Sequence, residues 1–296
     1  MKILNFGSMN VDNTYRVKSI VKPGETIASS GIDQNCGGKG LNQSVALARA
    51  GMEVTHAGLV GDDENGKILV EMLTSAGVDT GKIQVVPGKS GHTVIQVDEH
   101  GQNSIILFGG ANRRISETYI DEVLEDIQAG ELLLLQNEIS NLPYLLSRAK
   151  EKDLKIILNP SPMESYLQDL DLSCVDLFFV NEIEGEQLTG KKQPEEILDE
   201  MRKKYPSSAV VLTMGTRGAF FQKGEVRECQ KACKVQAVDT TGAGDTFTGF
   251  FIKMYYETGD AAKALALATK ASAIAVTRFG AAQSIPELSE VTEVRL

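Results

Sequence analysis

The chain has 296 residues, 42% of them hydrophobic, which is enough to bury one large core, and α/β folds of this length commonly form one domain. Thirty basic residues against forty acidic ones leave a formal net charge of -10. That balance works against non-specific attraction to DNA, RNA or anionic lipid, so a phosphate-bearing ligand has to be held by local geometry. Cys36, Cys174, Cys229 and Cys233 are too few and too scattered to staple the chain, and the 229/233 pair lacks the second pair or nearby His that a zinc site needs. The N-terminus runs straight into a strand-like stretch at 3–7, and no later segment reaches the ~18 apolar residues of a membrane span. The expectation is a cytoplasmic protein with neither a membrane nor a nucleic-acid partner.

In chain order, apolar strand-like runs at 54–60, 131–136, 155–159, 176–180 and 209–213 alternate with helical patterns. The helical patterns cover 41–50, 66–76, 116–128, 142–152, 194–205, 243–256 and 260–276. This alternation predicts an α/β fold, a three-layer α/β/α sandwich about a mostly parallel sheet, as a single domain over 1–296. Two stretches, about 14–36 and 91–109, lack a helical period. Within the second, 92–98 and 103–108 flank 99–102 like a β-hairpin, and together the two stretches predict a small β lid. Ligands of open α/β sheets sit outside the carboxyl ends of the strands, which draws attention to Asn10, Glu138, Asn181, Thr213 and Asp239.

The most informative segment is Val238-Asp239-Thr240-Thr241-Gly242-Ala243-Gly244-Asp245-Thr246-Phe247, followed by a strong helical pattern. Its small residues let the amides of Gly242, Ala243 and Gly244 converge at a helix start, where the dipole also favours negative charge, so the segment reads as an anion hole. Asp245 in the first helical turn is on its own an ordinary helix-stabilising charge. Beside an anion hole its carboxylate can instead take a proton from an attacking hydroxyl. No G-x-x-x-x-G-K-[ST] loop occurs and the dinucleotide spacing of glycines is missing, which disfavours hydride transfer. His56, His92 and His100 have no Ser or Cys nucleophile elbow to serve and read as structural.

Together, Asp239-Thr240-Thr241-Gly242-Ala243-Gly244-Asp245-Thr246-Phe247 and the earlier Gly37-Gly38-Lys39-Gly40 followed by Asn42 resemble the ribokinase family of carbohydrate kinases, and the likeness runs over essentially the full chain. The resemblance implies ATP as co-substrate and a sugar held by Asn10, Asp12, Gly37, Gly38, Asn42 and Glu138. Lys39 is a further sugar contact or only an anchor of its loop, and Asn10 and Asp12 otherwise shape the turn after the first strand. A carboxylate suits a vicinal diol because it only accepts while hydroxyls donate. Asn181 and Glu184 match an Asn-x-x-Glu element that organises Mg²⁺ through water; read plainly, Asn181 is a helix N-cap. Thr213, Gly215 and Gly218 match the nucleotide loop, with Gly244 and Asn181 also toward ATP, and Arg217 reads as a solvated turn residue. Thr269 falls where some members place a ring against adenine.

By the same likeness a monovalent cation, usually K⁺, has ligands at Asp239, Thr241, Ala275, Arg278, Gly280 and Ser284, and the assembly is a homodimer through the lid. The implied reaction is ATP-dependent phosphorylation of a sugar hydroxymethyl group, with D-ribose as acceptor. Deoxyribose, a nucleoside or a ketose are the rival acceptors, and a non-catalytic sugar sensor is the rival of another class. A sugar phosphate is disfavoured because few Arg or Lys residues flank the sugar set.

Overall fold

The computed structural model describes residues 2–294. Strand β1 (Lys2–Phe6) leads to β2 (Asn10–Arg16) and β3 (Gly31–Gly37), then α1 (Lys39–Arg49), β4 (Glu53–Gly61) and α2 (Glu64–Ser75). Next come β5 (Asp79–Val86), β6 (Gly91–Val97), β7 (Asn103–Phe108), α3 (Glu117–Leu124), β8 (Leu132–Gln136), α4 (Leu142–Glu151), β9 (Lys155–Asn159) and β10 (Val175–Asn181). Helices α5 (Glu182–Thr189) and α6 (Pro194–Lys204) precede β11 (Ala209–Thr213), β12 (Ala219–Lys223) and β13 (Val226–Gln230). Helices α7 (Ala243–Thr258), α8 (Ala261–Ala275) and α9 (Leu288–Glu293) follow.

Nine strands form the main sheet in the order β13-β12-β11-β10-β9-β8-β1-β4-β5. Its pairings are parallel except for the antiparallel β11–β12 and β12–β13 ladders. Both faces are covered, so its interior strands read as continuous apolar runs, such as the fully buried Leu-Leu-Leu-Leu-Gln of β8. The period-two alternation then deals side chains to two separate cores. Ile3, Leu132 and Leu134 pack with α1, α2, α7 and α8, while Leu4, Phe6, Leu133 and Leu135 pack with α3, α4 and α6. No helix among the described residues is long and apolar enough to cross a membrane.

A second sheet of four strands, β3-β2-β6-β7, forms the lid. The expected hairpin is present as β6 and β7. Asp98 Oδ1 accepts from the His100 and Gln102 amides, each at 2.9 Å, and so closes the turn between them. The lid begins earlier than the pattern indicated, because β2 already starts at Asn10. Asn10 and Asp12 are therefore lid-strand residues, paired with Gly37 and Asn35 of β3, rather than residues of a turn after β1. Strands β5, β12 and β13 and helices α5 and α9 are additions to the sequence reading. Asp239 departs from it: this residue follows no strand and lies in the irregular stretch between β13 and α7.

Candidate active site

Gly242 caps α7 at φ 74°, a left-handed conformation open to glycine, and so turns the chain into the helix that carries Asp245. The Asp245 side chain is buried and both of its oxygens accept from α1: Asn42 Nδ2 donates to Oδ2 at 2.9 Å and Gln43 Nε2 to Oδ1 at 2.8 Å. Asn42, expected on the sugar, thus holds Asp245; its own Oδ1 is buried without a partner, an acceptor that a hydroxyl brought against it would satisfy. The two helices approach closely because position 249 is glycine. A Cβ there would stand 2.5 Å from the Cβ of Ala46, one turn below the Asp245 contact.

The loop before α7 differs in one respect from the predicted trio of amides. The Ala243 amide donates to the Thr240 carbonyl at 3.2 Å and is engaged in the turn. Among the described residues no acceptor takes the Gly242 or Gly244 amide, so these two are available to an anion at the helix start.

A cleft of about 240 Å³ opens against this loop, lined by Gly242, Ala243, Gly244 and Asp245 together with Lys39, Asn181, Glu184 and Thr213. Asn159, Thr240 and Thr248 also line it and had not been singled out; only their polarity beside strand ends and helix starts marks them in the sequence. Lys39 therefore lines the cleft beside the α7 start and is not confined to the residues expected on the sugar. Burial works against its ammonium, but the carboxylates of Asp245, Glu138 and Glu184 together outweigh that and hold its pKa above the ordinary lysine value. Thr213 ends β11 in the cleft, while Gly215 and Gly218 form the turn behind it, where the Met214 amide donates to the Gly218 carbonyl at 2.8 Å. Gly218 has a packing reason of its own, since a side chain there would collide with the Gln230 carbonyl.

Among the residues expected on the sugar, Asp12 and Gly37 are diagonal neighbours on β2 and β3, and a side chain at 37 would strike the Asp12 carboxylate. Thr93 Oγ1 donates to Asp12 Oδ1 at 2.6 Å, leaving Oδ2 without a protein donor among the described residues. Burial pushes the Asp12 carboxyl upward, the Thr93 bond partly offsets this, and the nearby Glu138 adds to the rise. Asn10 Oδ1 accepts from Asn112 Nδ2 at 2.8 Å, which leaves its NH₂ to donate; Asn112, absent from the sequence reading, thereby sets the direction of that amide. Glu138 accepts from Ser8 Oγ and, at 2.9 Å, from the Lys39 amide, so it binds the start of α1 to the β8–α4 connection beside Gly38.

Asn181 proves to be a helix cap and a cleft residue together. Its Oδ1 accepts from the Ile183 and Glu184 amides, and Glu184 Oε2 accepts from the Asn181 amide at 2.9 Å, a complete capping box. Glu184 Oε1 accepts from Asn181 Nδ2 at 3.1 Å. With both oxygens already holding donors, Glu184 suits an ion that keeps its waters, so this pair fits Mg²⁺ bound through solvent. The predicted monovalent-cation loops also meet. Asp239 Oδ1 accepts from the Thr241 amide and hydroxyl, and Oδ2 from the Gly280 amide at 3.0 Å, tying 239–241 to the turn after α8. The Ala275 carbonyl accepts from the Arg278 amide in that turn, and Ser284 Oγ donates to the Ala281 carbonyl at 2.8 Å while keeping lone pairs to offer. An all-oxygen set of this kind fits a hard cation. Thr269 is buried on α8 with its hydroxyl unpartnered.

The sequence model of the pfkB family carbohydrate kinases matches residues 1–288. The chain belongs to this family. Among its relatives, the ribokinase of Haemophilus influenzae is 36% identical over 299 residues, 97% of this chain and 96% of that protein. The deoxyribokinase of Salmonella typhi is 33% identical over 305 residues, covering 99% and 98%. Of the solved structures, ribokinase from Cryptococcus neoformans in complex with ADP superposes with a TM-score of 0.84 at 32% identity, covering 99% of each chain. Arabidopsis thaliana ribokinase complexed with ribose and ATP gives 0.85 at 29% identity, covering 99% of this chain and 97% of that one. The protein is a ribokinase-type carbohydrate kinase with the α/β sandwich and lid of that family.

Proposed function

We propose that this kinase transfers the γ-phosphoryl group of ATP to the hydroxymethyl oxygen of D-ribose, giving D-ribose 5-phosphate. The observation that carries the reading is the buried Asp245 carboxylate at the start of α7, held by two amide donors beside the free Gly242 and Gly244 amides. The sugar lies under the lid against Asn10, Asp12, Gly37, Gly38, Asn42 and Glu138. ATP lies along the cleft toward Asn181, Thr213, Gly215, Gly218 and Gly244. Asp245 takes the proton as the hydroxymethyl oxygen attacks in line, and the oxyanion charge developing on the phosphoryl group meets the Gly242 and Gly244 amides and the Lys39 ammonium. Magnesium, when bound with the nucleotide by Asn181 and Glu184 through water, shields the phosphate charges from one another. A monovalent cation, K⁺ in this reading, would be held by Asp239, Ser284 and the carbonyls of Thr241, Ala275, Arg278 and Gly280. Lid closure excludes water, which would otherwise accept the phosphoryl group.

The lid supports a homodimer. Its edge strand β7 exposes Ile105, Ile106, Leu107 and Phe108, each at 46–64% of full exposure, and Ile32 is exposed on the opposite edge strand, β3.

The deoxyribokinase relative favours one second reading, with 2-deoxyribose as acceptor. Asp12 separates the two, because an acceptor carboxylate gains most from the vicinal diol that deoxyribose lacks. A panel of pentoses, hexoses and nucleosides assayed for ATP-dependent phosphorylation tests the choice. Ribose should have the highest kcat/KM; deoxyribose, a hexose or a nucleoside ahead of it would overturn the substrate assignment.

A further inference from the structure

Behind Asp245 the core holds a chain of polar side chains that the phosphoryl-transfer reading does not use. Asn5, Gln43, Ser44, His56 and Gln136 are all fully buried. Asn5 Nδ2 donates to the Gly40 carbonyl at 2.7 Å and to Ser44 Oγ at 2.8 Å. Gln136 Nε2 donates to Asn5 Oδ1 at 2.9 Å and to Gln43 Oε1 at 2.7 Å, and Gln43 Nε2 reaches Asp245 Oδ1.

The direction of this chain is set at its far end. A backbone carbonyl only accepts, so the bond to Gly40 turns the NH₂ of Asn5 toward α1 and its oxygen toward Gln136. Gln136 must then present its NH₂, and the second hydrogen of that group goes to the oxygen of Gln43. Gln43 is left with its NH₂ facing Asp245. The opposite rotation of Gln136 gains nothing, since its Oε1 lies without a partner against Gly7, where no side chain fits. Ser44 Oγ, accepting from Asn5, also shares a hydrogen bond of 2.8 Å with His56 Nδ1, and burial keeps that ring neutral, with its pKa pulled down to about 4.

We infer that Gln136 and Gln43 are positioning residues for the phosphoryl transfer: they carry the donor direction fixed at Gly40 through to Asp245 and hold its carboxylate in one orientation, with a donor against Oδ1. This rests on Asp245 being the base. The other charged groups facing Asp245 are Lys39 on α1, with Glu138 and Glu184 sharing its ammonium, and a change at 136 leaves all of them in place.

The test measures pH profiles of kcat/KM for the sugar with Gln136→Glu, Gln136→Met, Gln43→Met and Asp245→Asn. Gln136→Glu offers acceptors where donors are needed, so the Gln43 amide turns over and sets its oxygen against Asp245. The acidic limb should then move up by about one pH unit and kcat at pH 7 fall about tenfold, with both KM values within about threefold. Gln136→Met disturbs the same packing without reversing the chain and should keep the limb near its wild-type position. Gln43→Met removes the donor itself and should move the limb as Gln136→Glu does, which serves if Gln136→Glu fails to fold. Folded Gln136→Glu or Gln43→Met with an unmoved limb, beside an inactive Asp245→Asn, would overturn the positioning chain alone. Near-normal turnover of Asp245→Asn would overturn the base assignment and the chain with it.

Discussion

Replacing Asp245 by Asn keeps the shape of the side chain and removes its capacity to take up a proton. Both oxygens of Asp245 accept from amide donors, so an Asn at 245 satisfies one donor and turns its NH₂ toward the other. Asn42 is the partner that can adapt, because its Oδ1 is unpartnered and a half-turn of its amide brings that oxygen to the new NH₂. The folding cost then stays near that of one weakened charge-assisted bond, ~1–3 kcal/mol. Turnover should suffer more. Losing a positioned general base lowers kcat by roughly 10²–10⁴, or about 2.7–5.4 kcal/mol at about 1.36 kcal/mol per tenfold, while KM for ATP and sugar shifts only a few-fold. A coupled assay of ADP release, with calorimetric binding and a melting curve on the same preparation, separates these quantities. Were Asp245 only a helix-start charge, the change would cost about 0.3–1 kcal/mol of stability and leave turnover intact. A folded Asp245→Asn protein with near-normal kcat would refute the proposed chemistry.

The cation assignment predicts faster turnover when K⁺ replaces a bulky organic cation, and an Asp239→Asn variant that no longer distinguishes the two; equal wild-type rates in both salts would remove it. His56 makes stability pH-dependent: burial lowers its folded pKa from 6.5 to about 4, so the unfolded chain binds the proton more readily. Its contribution is complete above the unfolded pKa and is lost as pH falls toward 4, with a slope of up to roughly 1.4 kcal/mol per pH unit that His56→Gln should remove; an unchanged slope in chemical unfolding would count against it. Light scattering should give a dimer for the wild type and a monomer for the Ile106→Asp, Phe108→Asp double variant, and a wild-type monomer would dispose of the lid interface.

What could be read from the sequence follows from how locally each feature is specified. The runs at 155–159 and 209–213 match β9 and β11 because buried parallel strands are apolar throughout and are bounded by turn residues. The lid hairpin and the α7 start were equally local, each marked by glycines and polar caps. Strand β5 escaped because its Asp-Thr-Gly-Lys-Ile-Gln-Val-Val is mixed in polarity and only partly buried. Asp239 lies after no strand: Val238 is exposed, and both the Val238 and Asp239 amides donate to the Val276 carbonyl at the end of α8, a distant contact that no local pattern marks.

The site's inner support lay beyond such reading for a different reason. Gln43 and Gln136 stand 93 residues apart, and nothing local distinguishes either from a solvated glutamine. A signal was nevertheless present. Gly249 sits inside a strongly helical pattern, where glycine costs about 1 kcal/mol relative to alanine, so its presence needs a packing reason. The structure supplies one: a side chain at 249 would crowd Ala46 and separate α1 from α7. Asn42 and Gln43, in the first half of α1, are the amides that this approach brings to Asp245. Glycine within one helix and amides near the start of another are thus one feature written in two distant places, and each residue's purpose is evident only from the other's position.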